Sequence, residues 1–461
     1  MQLTQWRGRL ARLIAATMAC LVLRRAATFA APRSTVGRRV ATAGLSGAWS
    51  DSHSKGRRSE GSGVRRTGGG VMLSAAALGS AAALGVDSEE RRAACAGERV
   101  RVVTYNVLSS HLCEPGYFVK CAAEDLDPAT RLQRVCGALD GEVARGAVVC
   151  LQEVSRDWCG ELHAYFAKRG YQLATGLYGT RFNGYMGVAV AWPEDRYDLL
   201  GVDLCRVADT IKEAPRERRA KAPEPGRLGR LWRGLRERVA HVARASTEPL
   251  PRPRPPFDTW HEAGRKHNVL VTATLAPKTT GGAFCVSTYH MPCLFGSVEK
   301  ERVMVIHSLL AAKRVHEVAA GRPYVLCGDF NIKPYDAAYA ALTTGALPEA
   351  FADYAPPPQP NPPRDAALAF SPTLDPPLVS AYATHTGSEP DFTNFAYTKP
   401  MGAERPAFVE TLDYVFLSPG HWKVTGVKDL KPKAGLDLAR PYPTADEPSD
   451  HVLLAADLEV A

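Results

Sequence analysis

The sequence predicts a mixed α/β sandwich, and three observations carry that expectation. Short β-branched apolar runs recur and end in polar residues, candidate strands outnumber candidate helices, and several strand candidates lie close enough in sequence to be hairpin neighbours. At 461 residues the chain exceeds one average domain, yet α/β chains of this length often build a single core.

In chain order, VRVVTYN predicts a strand over 100–106 that ends at Asn106. From Pro128 to Ala144, charged residues alternate with Leu132, Val135, Leu139 and Val143. That spacing of three or four is a helix leading into the next strand, 147–153, which ends at Glu153. Strands are expected over 187–192, 268–275 and 283–290, the last delivering His290. Val298 to Ala320 returns to helical spacing with Val303, Ile306 and Leu310, and Gly321 is a natural stop. Strands over 323–329, 411–417 and 451–459 complete the set, while the Pro-rich stretch 355–377 reads as a loop. The runs ending at Asn106, Glu153 and Asp329 are apolar almost to their tips, which suits strands buried on both faces. A carboxylate or amide at such a tip costs desolvation unless a metal, hydrogen bond or ligand satisfies it. Asn106, Glu153, His290, Asp329 with Asn331, Asp413, and Asp450 with His451 therefore read as one distributed metal and phosphate site.

These residues carry a resemblance. Asn106, Gln152-Glu153, Gly328-Asp329-Phe330-Asn331, Leu412-Asp413-Tyr414 and Ser449-Asp450-His451 resemble the endonuclease/exonuclease/phosphatase superfamily, in its usual chain order, over residues 99–461. Phe392-Thr393-Asn394-Phe395, ahead of Thr411-Leu412-Asp413-Tyr414-Val415-Phe416, is similar to the Ccr4, nocturnin and angel group of deadenylase-like enzymes. The resemblance implies one catalytic domain of two facing β-sheets covered by helices on both sides. It implies magnesium, with manganese as the alternative, held by Glu153, with Asn106 completing or supporting the site and Asp450 turned toward it. His451 is then the partner of charge on the scissile phosphate or a general base, oriented by Asp413. Asp329 activates or orients water, Asn331 donates to phosphate, and His290 contacts phosphate. The string around His290, Ser287-Thr288-Tyr289-His290-Met291-Pro292, departs from the Thr-His-x-x-Trp form common in deadenylases, so the base pocket is expected to differ. Phe392 and Asn394 are candidates to stack on and hydrogen-bond a base, loop packing being the other reading of Phe392.

The function expected is hydrolysis of RNA from its 3′ end. Removal of phosphate from NADP(H) or another small phosphorylated substrate is the alternative, and an inactive RNA-binding scaffold the reading from a different class. Charge does not argue for nucleic acid in the way the total of +9 suggests. Residues 1–98 hold 15 Lys and Arg against 6 Asp and Glu, and residues 99–461 hold 42 of each. Within the latter, 206–254 carries 14 basic and 6 acidic groups, leaving 28 against 36 elsewhere, so the catalytic portion is acidic. The segment 206–262 therefore reads as a basic insertion. It contains a helix candidate, RLGRLWRGLRERVAHVARA, striped by Leu228, Leu231, Leu235 and Val239, and ends in the spacer PLPRPRPP. Such a stripe ringed by Arg suits RNA phosphates or an anionic surface, and a solvated insertion is the plainer reading.

Residues 1–98, rich in Ala, Arg, Ser and Gly, read as a largely unstructured targeting leader. Leu10 to Leu23 is apolar but short for a membrane span, and Ala27 to Pro32 precedes Arg33, Arg38 and Arg39. This resembles a bipartite plastid leader, with a mitochondrial presequence as the main rival. A second apolar run, 71–86, follows Arg65-Arg66 and reads as a lumenal signal or as a linker. No CxxC pair of metal-like spacing occurs, which favours a reducing compartment over a disulfide framework. A monomer with no stable membrane span once the leader is removed is expected.

Overall fold

Valine-rich runs without a polar face are stable only between two apolar layers, and the chain meets that demand by stacking two six-stranded sheets. The computed structural model describes residues 96–214, 257–399 and 406–461, all within one unit spanning Ala76–Ala461. The first half of the chain supplies strands β1 (Arg99–Asn106), β2 (Val148–Val154), β3 (Tyr171–Leu177), β4 (Gly187–Pro193) and β5 (Tyr197–Arg206). Then come β6 (Val269–Pro277), β7 (Phe284–His290), β8 (Tyr324–Asp329) and β9 (Val379–Ser380). The last strands are β10 (Asn394–Ala396), β11 (Phe408–Glu410), β12 (Asp413–Leu417), β13 (Trp422–Val427) and β14 (Leu454–Val460). One sheet runs β13-β14-β1-β2-β4-β3 and the other β5-β6-β7-β8-β12-β9, with β10 and β11 paired separately.

The inward faces meet in an aliphatic layer that includes Val102, Val148, Cys150, Val190, Val271, Val286, Val325 and Val415. Outside the first sheet lie α1 (Pro128–Ala144) and α2 (Arg156–Ala167), whose Val135, Leu139, Trp158 and Phe166 cover it. Outside the second sheet lies α4 (Val298–Ala319), packed with α3 (Thr259–Gly264) and α5 (Ala337–Thr344). A short α6 (Ala381–Thr386) completes the helices of the described residues. Caps set the limits of the long helices. Asp127 accepts from the Thr130 amide at the start of α1, and Ser297 does the same for Lys300 at the start of α4. Ala320, expected as the last helical residue, takes φ +48° and ends α4 one position earlier.

Two parallel pairs decide where the polar tips go. β1 runs parallel to β2 and β7 parallel to β8, so all four release their C-terminal residues at one end of the sandwich. Antiparallel β12 starts there, with Asp413 opposite Asp329, and β14 begins three residues after His451. The strand expected over 411–417 starts at Asp413, and the one expected over 451–459 starts at Leu454 and runs to Val460. Thr411-Leu412 and His451-Val452-Leu453 are left in the connecting segments.

The basic segment's edges belong to the fold. Arg206 closes β5, while Val207 and Trp260 are buried in the core under α4. The helix candidate within that segment lies in residues 215–256, outside the described residues, as does the leader up to residue 95. Among the described residues no helix is long and apolar enough to cross a membrane, and all described cysteines are free thiols.

Candidate active site

The polar tips converge. Asn106 Nδ2 donates to Glu153 Oε1 at 3.1 Å and to Asp329 Oδ2 at 2.9 Å, and lies 3.5 Å from His451 Nε2. Its Oδ1 accepts from the Leu108 amide at 3.0 Å, so Asn106 bridges carboxylates of opposite sheets and its oxygen is already engaged. Glu153 sits at φ +60° where the β2–β4 register shifts between Gln152 and Val154. The bulge turns a side chain that regular pleating would direct into the sheet core. Such a backbone costs about 1–3 kcal/mol and persists where surrounding bonds impose it; here the Ser109 amide holds Glu153 Oε2 at 2.9 Å.

His451 Nδ1 lies 2.7 Å from Asp413 Oδ2, which also accepts from Thr393 Oγ1 at 2.6 Å. Thr393 Oγ1 in turn accepts from the Leu412 and Asp413 amides, so the carboxylate that orients the imidazole is itself fixed. Burial opposes charge on His451, but the carboxylates of Asp413, Asp329 and Asp450 outweigh it and hold its pKa well above the ordinary range. Nε2 therefore presents a proton on the side of Asp329, 3.7 Å away. His290 faces it from the other sheet, with Nε2 at 3.5 Å from Asp329 Oδ2 and 4.0 Å from Glu153 Oε1. Burial pushes the Asp329 carboxyl up to about 6, against the opposing pull of His451 and His290.

Asn331, at φ +50°, donates its backbone amide to Asp329 Oδ1 at 2.9 Å and its Nδ2 to Met291 O at 3.2 Å. Asp450 stands at the margin: Oδ2 accepts from Asn394 Nδ2 at 3.3 Å, and Oδ1 is buried without a hydrogen-bond partner. Burial pushes its carboxyl up, His451 offsets part of that, and Glu153 adds to it, so the Asp450 and Glu153 charges sense each other.

For Phe392 the structure selects loop packing over base stacking. Phe392 is 1% exposed and packs with Tyr382, Phe395, Val409 and Tyr442, so its ring has no face left for a base. Asn394 is buried and its amide donates to Asp450. The residue of that motif that touches the Asp413 carboxylate is Thr393, immediately before β10.

Several residues with site roles left little trace in the sequence. Tyr178 Oη lies 2.7 Å from His290 Nδ1, and Asn268 Nδ2 donates to His290 O at 2.7 Å. Gln152 Nε2 joins Thr104 on one sheet to Thr288 on the other, directly under Glu153. Arg131, wholly buried on α1, donates to the carbonyls of Val107, Leu108 and Pro448, clamping together the loops that carry Asn106 and Asp450-His451. An arginine inside the apolar stripe of a predicted helix was the one available signal.

The donor set suits a hard dication. Glu153, His290 and Asp329 bring ligand atoms within 4.8 Å of one another, and the orphaned Asp450 oxygen adds negative potential. Carboxylate oxygens are the hard ligands that such a cation takes.

Known proteins show the same arrangement of sequence. The profile of the Endonuclease/Exonuclease/phosphatase family matches residues 103–451. Nocturnin of Drosophila melanogaster is 24% identical over 380 residues, covering 79% of this chain and 47% of that protein. Carbon catabolite repressor protein 4 homolog 2 of Arabidopsis thaliana is 23% identical over 391 residues, covering 77% and 57%. The chain thus spans about half the length of the curated relatives it matches. Among solved structures, ANGEL2, a 2′,3′-cyclic phosphatase in complex with adenosine-2′,3′-vanadate, aligns with a TM-score of 0.53 at 19% identity, over 78% of this chain and 96% of that one. That likeness is one of fold.

Proposed function

Since the chain belongs to the endonuclease/exonuclease/phosphatase family and is a phosphoric ester hydrolase by that membership, we propose that it is a magnesium-dependent phosphodiesterase acting on RNA 3′ ends. The observation that carries the reading is the convergence of Asn106, Glu153, Asp329 and His451 through Asn106 Nδ2. Two carboxylates and a charged imidazole within bonding range of one amide have no structural purpose that a simple salt bridge would not serve better.

Glu153, with Asp329 and Asp450 around it, would hold the cation, which when bound supplies positive charge to the phosphate and its departing oxygen. The protein's own groups account for the rest. His451, kept in one orientation by Asp413, donates from Nε2 to a non-bridging phosphate oxygen, where charge develops during attack. Asp329, whose raised pKa leaves it ready to accept a proton near neutrality, orients the attacking water and takes its proton. His290, fixed through Nδ1 by Tyr178 and through its carbonyl by Asn268, contacts the phosphate from the second sheet. Relatives named as nocturnin and as Carbon catabolite repressor protein 4 homologs support RNA or a phosphorylated nucleotide as substrate. A cavity of about 490 Å³ lined in part by His290 favours a diester, because a terminal phosphate alone would leave it unused.

The test is turnover by the full chain, with magnesium or manganese, of oligo(A), mixed-sequence RNA, abasic DNA, NADP and inositol phosphates. Stepwise shortening of RNA from the 3′ end is expected. Turnover of NADP or inositol phosphates with RNA left intact would replace this reading with the phosphatase one, and binding of RNA without turnover of any substrate would replace it with the scaffold.

A further inference from the structure

The cavity beside His290 has features that the catalytic groups do not use. One wall is the loop between β3 and β4, including Tyr178 and Asn183, and the facing wall includes Arg265, His267 and Asn268. The loop is pre-formed. Asn183 Oδ1 accepts from the Thr180 amide at 2.7 Å, and the Asn183 carbonyl accepts from Ser109 Oγ at 3.0 Å. This anchors it to the segment that holds Glu153. On so constrained a loop Phe182 is 81% exposed, an arrangement that forgoes the burial a phenyl ring normally gains. Across the cavity, Lys266 is spent on Glu262 at 2.5 Å. Arg265 and His267 are exposed and make no side-chain hydrogen bond or ion pair among the described residues.

We propose that this cavity is the subsite for the nucleotide next to the scissile phosphate in a single-stranded polynucleotide, with Phe182 stacking on its base and Arg265 holding the following phosphate. The inference rests on the phosphodiesterase reading and narrows it to substrates of at least two nucleotides. Phe182 is an exposed ring on the loop whose Thr180 and Asn183 line the cavity, and Arg265 and His290 are lining residues themselves; an aromatic and a cation at one cavity are the combination single strands require. Aromatic stacking accepts any base, and a cation tracks the backbone. A cavity of this volume holds a nucleotide-sized group.

The experiment compares full-length wild type, F182A and R265A with magnesium on two substrates, fluorescein-labelled single-stranded octa-adenylate and bis(p-nitrophenyl) phosphate, a diester with no second phosphate or base. The ratio of kcat/KM for the RNA to that for the minimal diester is expected to fall about five-fold or more in each variant, carried by KM, and R265K should recover part of the loss. An unchanged ratio in both variants overturns the subsite even if RNA is hydrolysed. Anisotropy binding of the labelled RNA, with each substitution placed on an E153Q background, separates the two readings. Weaker binding in the variants supports the subsite even if the wild type hydrolyses neither substrate, whereas equal binding overturns it.

Discussion

Asp413 and Tyr178 serve equivalent purposes for two different histidines. Each fixes an Nδ1 at 2.7 Å and so leaves the corresponding Nε2 to face Asp329. For His451 the partner is a buried carboxylate, so Asp413→Asn, which keeps the shape and removes the charge, should lower kcat on the order of 10³-fold with circular dichroism unchanged; a loss under ten-fold would remove Asp413 from the orienting role. For His290 the partner is a phenol. Tyr178→Phe should lower kcat/KM about ten-fold and displace a limb of the pH–rate profile, because the imidazole loses the group that fixes its tautomer. A uniform drop at every pH would mark Tyr178 as packing alone. Phe392, by contrast, carries no functional prediction, since burial removes it from any substrate.

At the scale of elements, α4 is bound to its surroundings by His307, which is fully buried between β7 and α3. Nδ1 lies 2.9 Å from Tyr289 Oη and Nε2 3.0 Å from Ala263 O, so the neutral ring accepts from the phenol and donates to the carbonyl. Burial depresses its pKa from the ordinary 6.5 to about 4. The unfolded chain therefore binds the extra proton first as the pH drops. Stability from this group is complete above about pH 6.5 and is lost on descent toward pH 4, by roughly 3 kcal/mol at most. His307→Gln should flatten that part of the denaturation-versus-pH curve; an identical slope in the variant would assign the acid sensitivity elsewhere. β8 meets a different constraint. Gly328 has φ +143°, and a Cβ there would collide with the Tyr289 carbonyl on β7, which explains glycine beside Asp329 without any role in chemistry. The central strands were legible because both their faces are apolar, whereas β3, β5 and β13 were not. All three are partly exposed edge or near-edge strands, and such segments show neither continuous hydrophobicity nor clean alternation.

For the molecule as a whole, the site is a seam. Glu153 belongs to one sheet and Asp329 to the other, so a cation held between them binds the folded state alone and should raise Tm with increasing magnesium. That rise should vanish in Glu153→Gln; its persistence would place the cation elsewhere. The basic segment is a separate matter. Because Val207 and Trp260 are core residues, only the stretch between Ala214 and Phe257 is a sensible deletion. Replacing it with a short Gly-Ser linker should leave Tm unchanged while weakening long-RNA binding and flattening its salt dependence. An unaltered salt slope would make the segment a spacer.

The sequence by itself determined the family, the two-sheet sandwich and most of the residues that meet at the site. Apolar strands ending in carboxylate, amide or imidazole are a local signal, written within a few residues of each tip. Only the tertiary structure decided which neighbours act on those tips: Thr393 in place of Phe392 against Asp413, Tyr178 behind His290, and Arg131 across two loops. The physical reason is that such partners are set by strand register and by the facing of two sheets. These bring residues together that lie 20 to more than 300 positions apart in the chain, and no local pattern encodes which face of a short strand will be turned inward.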